Sequence, residues 1–251
     1  MKKISLSLVA MLLLGAVACR KSNSLSPGGG NNNTNVSNQE AADMVAGSIS
    51  INSNGVTDLA LDASLDATNI GHTPDACGTI KSDSISRQST AGSAFSYSYK
   101  SKYSFTVDCN SSNVPDSLSS TLTYSGSFSG PNLASSNSGS SVFDVNGLLP
   151  TAADFVINGE YKRSGSFNSK IDTSNHGNSN IDIVINSLTL KKPSRSIVSG
   201  NAAISVTGDV PKKGSFNYTG TLVFNGNGTA TLTLNGTVYL INLYTGERQK
   251  V

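Results

Sequence analysis

Residues 95–107 read FSYSYKSKYSFTV. Phe95, Tyr97, Tyr99, Tyr103, Phe105 and Val107 hold one phase of a period of two. Ser96, Ser98, Lys100, Lys102, Ser104 and Thr106 hold the other. Successive side chains of a strand point to opposite faces, so the stretch predicts a half-buried strand with one apolar and one wet face. Upstream, Leu59, Leu61, Ala63, Leu65 and Ala67 alternate with polar residues and predict another strand. Asp58, Asp62 and Asp66, four apart, would also suit a helix face. On a strand these carboxylates would stand about 13 Å apart. That is too far to chelate one ion, and they are expected to form solvated surface.

Downstream the same faces recur. Ile157-Asn158-Gly159-Glu160 aligns with Val206-Thr207-Gly208-Asp209, and Gly165-Ser166-Phe167-Asn168 with Gly214-Ser215-Phe216-Asn217, an internal repeat of about 152–190 on 201–239. The unit reads as three antiparallel strands and two turns. Pro211-Lys212-Lys213-Gly214, Asn225-Gly226 and Asn235-Gly236 carry turn and hairpin signals. Ser37 with Glu40 three residues on, followed by Ala41, Ala42, Met44 and Val45, predicts one short helix opened by a capping box. The expected fold is therefore all-β: an antiparallel meander of about twelve strands from roughly 47 to 245. Its curved sheet would form a partly closed barrel or a sandwich, with one short N-terminal helix. A one-sided apolar sheet needs a cover, and closure, a second sheet or a bound lipid is expected to supply it.

Composition agrees with this class. Charged residues are 14% of the 251, aromatics 6%, Trp is absent, and Ser, Thr and Asn together make about a third. Only three Glu and two His occur, so proton-transfer residues are scarce and a non-catalytic protein is expected. Gly126-Ser127-Phe128-Ser129-Gly130 has Phe where a nucleophile elbow needs Ser. No cofactor motif is found.

Residues 1–18 read as a targeting segment: basic Lys2 and Lys3, an apolar core from Ile4 to Leu14, then small residues before Cys19. Val17-Ala18-Cys19 resembles the lipobox of bacterial lipoproteins, with Ala16 where that family usually has Leu. The same bond also fits ordinary secretory cleavage after Ala16-Val17-Ala18. The resemblance covers about the first twenty residues. It implies that the Cys19 thiol is acylated and that the protein is held to a membrane of the cell envelope. Arg20 after the anchor, rather than Asp, favours the outer membrane.

Removing Lys2 and Lys3 leaves 16 basic against 16 acidic residues. This neutral balance excludes a nucleic-acid partner. Residues 19–37, rich in Gly, Asn and Ser, read as a lipidated Cys with a flexible tether spanning about 20–25 Å. Residues 38–251 read as a single β-rich domain. The Ser/Thr/Asn-rich exposed faces, which lack an aromatic girdle, and the ending Gln249-Lys250-Val251 argue against a membrane-spanning barrel.

Cys77 and Cys109 are the two cysteines left after the anchor and are expected to form a disulfide. The alternative is a metal site from His72, Asp75, Cys77 and Cys109, which lacks ligand spacing. The expected role is a structural or partner-binding one, toward an envelope protein, glycan or lipid. Two alternatives remain. One is a carrier sheltering an apolar ligand or glycan, with Tyr97, Tyr99 and Tyr103 as stacking residues, set against their simply packing the sheet. The other is an envelope hydrolase using His72 or His176.

Overall fold

The computed structural model describes residues 36–70, 77–93 and 95–251. The leader, Cys19, the tether up to residue 35, His72 and Asp75 lie outside the described residues. Helical elements come first: α1 (Asn38–Ile49), a 3-10 turn (Ile51–Ser53) and α2 (Val56–Ile70). Strands follow: β1 (Ile80–Gln88), β2 (Ser96–Cys109), β3 (Pro115–Ser129), β4 (Leu133–Asn146), β5 (Asp154–Ser169) and β6 (His176–Lys191). Then come β7 (Ser196–Val210), β8 (Gly214–Gly226), β9 (Thr229–Leu234), β10 (Thr237–Asn242) and β11 (Arg248–Lys250). The eleven form one antiparallel sheet in chain order, and its first and last strands do not pair. The meander is open.

Helix α1 starts as its sequence predicts. Ser37 caps it, accepting from the Glu40 N–H at 3.2 Å and donating its own N–H to Glu40 Oε2 at 2.9 Å. Every residue from Glu40 to Ile49 is buried, and α1 packs against β4, β6, β7, β9, β10 and β11. The sheet curls around this helix. Ala41, Ala42, Ala46 and Gly47 keep the helix thin enough to be enclosed, while Met44, Val45 and Ile49 supply apolar bulk. Burial of such larger side chains stabilises by about 1.5–3 kcal/mol each.

The expected strand over Leu59–Ala67 is instead part of α2. Val56, Leu59, Ala60, Ala63, Ala67 and Ile70 are buried, a helical spacing, whereas Leu65 is 40% exposed. The stretch lacks β-branched residues in its centre, and Leu and Ala favour helix, so the alternation of Leu with Asp was the misleading signal. This removes one strand from the expected twelve and adds a second helix. Together the two helices are the cover that the apolar face requires; the described strands all belong to one sheet.

The 49-residue repeat does not map strand onto strand. Residues 157–167 lie within the continuous β5, whereas 206–216 cross the β7–β8 turn. What recurs is the chemistry of the inner face: aromatic rings set directly across from glycines. Tyr99 pairs with Gly126, Tyr124 with Gly139, Phe143 with Gly159, Phe167 with Gly177 and Phe216 with Gly208. At Gly139 a Cβ would overlap the Lys162 carbonyl oxygen and the Tyr124 hydroxyl. The ring lies over the bare backbone, a device that lets a sheet bend sharply.

Two turns follow the sequence signals. Gly214 has φ 97°, and Asn235-Gly236, both with positive φ, joins β9 to β10. The β8–β9 turn is instead made by Asn227-Gly228, two residues later than Asn225-Gly226. The outer phase of the strands is hydroxyl- and amide-rich. One row across the sheet runs Ser125, Ser138, Ser164, Asn180, Thr207 and Asn217.

Candidate functional site

Among the described residues, a dense buried polar cluster surrounds Arg163, which is 3% exposed on the inner face of β5. Its Nη1 donates to Gly47 O at 2.7 Å, its Nη2 to Ser53 O at 2.5 Å, and its Nε to the Tyr124 hydroxyl at 3.3 Å. Gly47 lies in the last turn of α1, where carbonyls lack intrahelical partners and a cation is favoured. The guanidinium also stands 5.5–5.9 Å from the ring centroids of Phe128, Tyr161 and Tyr124. Tyr124 donates to the Tyr161 hydroxyl at 2.7 Å, and Tyr161 donates to Asn54 O at 3.2 Å. Burial pushes the Tyr161 phenol well above its usual range, so it stays neutral and cannot serve as a base. The cluster binds the α1–α2 connection to the sheet, and its donors are spent on backbone carbonyls and on the tyrosine hydroxyls. Sequence reading missed it. The available signal was one of phase: Arg163 occupies the position between Tyr161 and Gly165 that an inward residue should hold.

The residues singled out from sequence fall in three places. Tyr99 is 2% exposed and exchanges hydrogen bonds with Asn137 at 3.2–3.3 Å, while Tyr97 and Tyr103 are half-buried against the core. The three share the inner face but pack the sheet, and Tyr99 is too buried to stack on a sugar. The stacking expectation is therefore corrected for Tyr99. Cys77 and Cys109 form the disulfide, with Cα atoms 5.6 Å apart, joining the chain before β1 to the end of β2. Both thiols are consumed, which removes them from the metal alternative. Among the described residues no group of three or more His, Cys, Asp or Glu is placed to hold a metal ion.

The expected solvated aspartates are corrected in part. On α2, Asp58 and Asp62 converge on Arg87 of β1, each at 2.6 Å. Burial is the main cause raising Asp58 to about 6, against the attraction of Arg87. Burial and the charge of Asp62 raise Asp66 to about 6.

The β1–β2 connection and the chain before β11 come together beside α1 and form a seam. A Cβ on Gly246, just before β11, would stand 3.1 Å from Ser50 Oγ and 3.5 Å from the Phe95 ring. Beside this near-contact lies a cavity of about 520 Å³. It lies between the β3–β4 turn and β10–β11, with Asp43 and Gly47 of α1 also lining it. On the convex face, the hydroxyl row around Ser138, Ser164 and Asn180 lines a shallow depression. No described helix is long and apolar enough to cross a membrane. Comparison with known proteins finds no match among family models, curated proteins or solved structures.

Proposed function

We propose that this chain is a non-catalytic lipoprotein of the cell envelope. It would be anchored through acylated Cys19, stand off the outer membrane on the 19–37 tether, and bind an envelope partner with the outer face of its sheet. The observation that carries the reading is the occupancy of the concave face. A carrier would keep that face free for cargo, yet α1 fills it with ten consecutive buried residues and Arg163 ties the helix down. What is left for recognition is the Ser/Thr/Asn-rich outer surface, suited to hydrogen bonding, with charges such as Lys162, Glu160 and Asp182 set among the hydroxyls. Catalysis finds little support, because Arg163 is spent on the carbonyls of Gly47 and Ser53 and on the Tyr124 hydroxyl, and burial holds the Tyr161 phenol neutral.

The test is metabolic labelling with radioactive palmitate, together with native mass spectrometry of a Cys19→Ser chain purified without detergent. Label that disappears in Cys19→Ala, and a bare native mass, are the expected results. Unlabelled wild-type protein would sink the anchor. A co-purifying mass of several hundred daltons would restore the carrier reading. An activity lost on replacing both His72 and His176 would restore the hydrolase reading.

A further inference from the structure

We propose that the cavity at the open seam of the sheet binds a small amphipathic amine, a flat apolar body bearing one cationic group. Its volume of about 520 Å³ lies in the range of small-molecule sites. Phe95, Phe128, Leu133 and Leu240 supply the apolar walls, and Phe128 and Leu133 are each 4% exposed and fixed in the core. The polar side is also built rather than loose. Arg248 donates to Asp43 at 2.9 Å and to Gln39 O at 3.1 Å, and lies 5.5 Å from the Tyr239 ring centroid. Asn132 donates to the other Asp43 oxygen at 3.2 Å. Segments far apart in sequence thus hold the walls in place before any ligand arrives.

Charge sets the ligand class. The lining carries two carboxylates, Asp43 and Glu247, against one guanidinium, and that guanidinium is already engaged with Asp43 and the Gln39 carbonyl. Glu247 is exposed and accepts from the Thr245 hydroxyl at 3.2 Å, which leaves it open to a cation. Lys170, the next cation, is engaged behind the wall with Gly130 O at 2.6 Å and Ser129 Oγ at 2.9 Å, so Glu247 is the lining carboxylate without a basic partner among the described residues, and an ammonium would supply one. Strand addition is a poor fit to the same gap, because β11 is three residues long and Phe95 nearly touches the loop before it. The inference stands apart from the proposed anchor and convex face, neither of which it uses.

The experiment titrates 2-phenylethylamine, and phenylacetate as its anionic counterpart, into the Cys19→Ser chain, followed by calorimetry and by backbone amide shifts. The expected result is binding of the amine, with shifts concentrated in residues 130–133 and 246–249, and weaker binding of the acid. Glu247→Gln should weaken the amine up to about fivefold, the worth of an exposed charge pair. Leu240→Trp should fill the cavity and abolish binding. Leu240 is 37% exposed, so the larger ring is tolerated by the fold. Equal binding of both probes, shifts elsewhere, no binding at millimolar probe, or unchanged affinity in Leu240→Trp would each overturn the proposal.

Discussion

Helices α1 and α2 cover the same concave face, yet they are held by different physics. The sheet encloses α1 from β4 round to β11, and Arg163 hydrogen-bonds its last turn from the centre of β5. Its acidic side chains are paired: Glu40 accepts from Asn175 at 3.0–3.1 Å, and Asp43 from Arg248 and Asn132. Helix α2 lies against β3–β5 with one side only, and its polar side reaches out to β1. That strand is the exposed edge of the sheet. Lys81, Asp83 and Arg87, on the inward phase of β1, discourage pairing with another chain. The centre is therefore specified by buried hydrogen bonds with few alternatives, and the rim by partly solvated charges that salt and pH can reach.

If this contrast holds, the largest effect belongs to the centre. Arg163→Met leaves the Ser53 carbonyl without its donor inside the core and Gly47 O with the Ser53 hydroxyl alone. It should cost about 3–5 kcal/mol, read from the urea midpoint at constant slope. A loss under 1 kcal/mol would mean that α1 is held by packing alone. Next comes the covalent tie at the rim. Reducing Cys77–Cys109, which closes a loop of sequence separation 32, should cost about 3–4 kcal/mol on the loop-entropy model. The two perturbations should differ in where they act. By hydrogen exchange, reduction should speed opening of β1 and α2 while α1 exchanges only through global unfolding. Equal acceleration in both helices would erase the distinction between centre and rim.

How much of this was legible beforehand follows the same division. The strands of the centre announce themselves, because one buried face and one wet face force a period of two, as in residues 95–107. The capping box of α1 was readable from Ser37 and Glu40, since it depends on local spacing alone. The rim misled. In α2 a run of Leu, Ala and Asp fits both periods, and the choice is made by contact with β3–β5, which no local pattern contains. The repeat misled for a related reason. Gly-Ser-Phe recurs without the same strand returning: Gly165 lies mid-strand against Ser136 and Asn137, whereas Gly214 opens β8 from a turn with positive φ. Arg163 was hidden by its partners, which are backbone carbonyls more than a hundred residues away. The seam cavity was invisible because its walls come from segments that only the curl of the sheet brings together.

The smaller predictions probe the rim. Arg87→Ala removes the partner of both Asp58 and Asp62 and should cost about 1 kcal/mol, shrinking in high salt. The same substitution strands two carboxylates beside each other, so its cost should be least in acid, where one of them takes a proton.

The pH dependence of the wild type carries the last test, and its sign is unusual. Most folded carboxylates sit below their ordinary value and make a protein less stable in acid. Here burial against the Arg87 attraction raises Asp58 from 3.8 to about 6, and burial with the charges of Asp62 and Asp83, against Lys81, raises Asp66 to about 6. Between pH 4 and 6 the folded state therefore binds more protons than the unfolded chain, and stability must rise as pH falls through that window. Burial raises Asp43 and Asp182 in the same direction, while Asp172, held low by its hydrogen bonds to Ser174, acts in the opposite one. Asp58 alone should add about 1 kcal/mol between pH 7 and pH 5, read from urea midpoints at the two values. Asp66, nearer to solvent, should add less. Asp58→Asn should remove about that amount of the dependence and leave the exchange rates of α1 unchanged. A wild type less stable at pH 5 than at pH 7 would mean that the Arg87 pair outweighs burial, and that the rim is held as firmly as the centre.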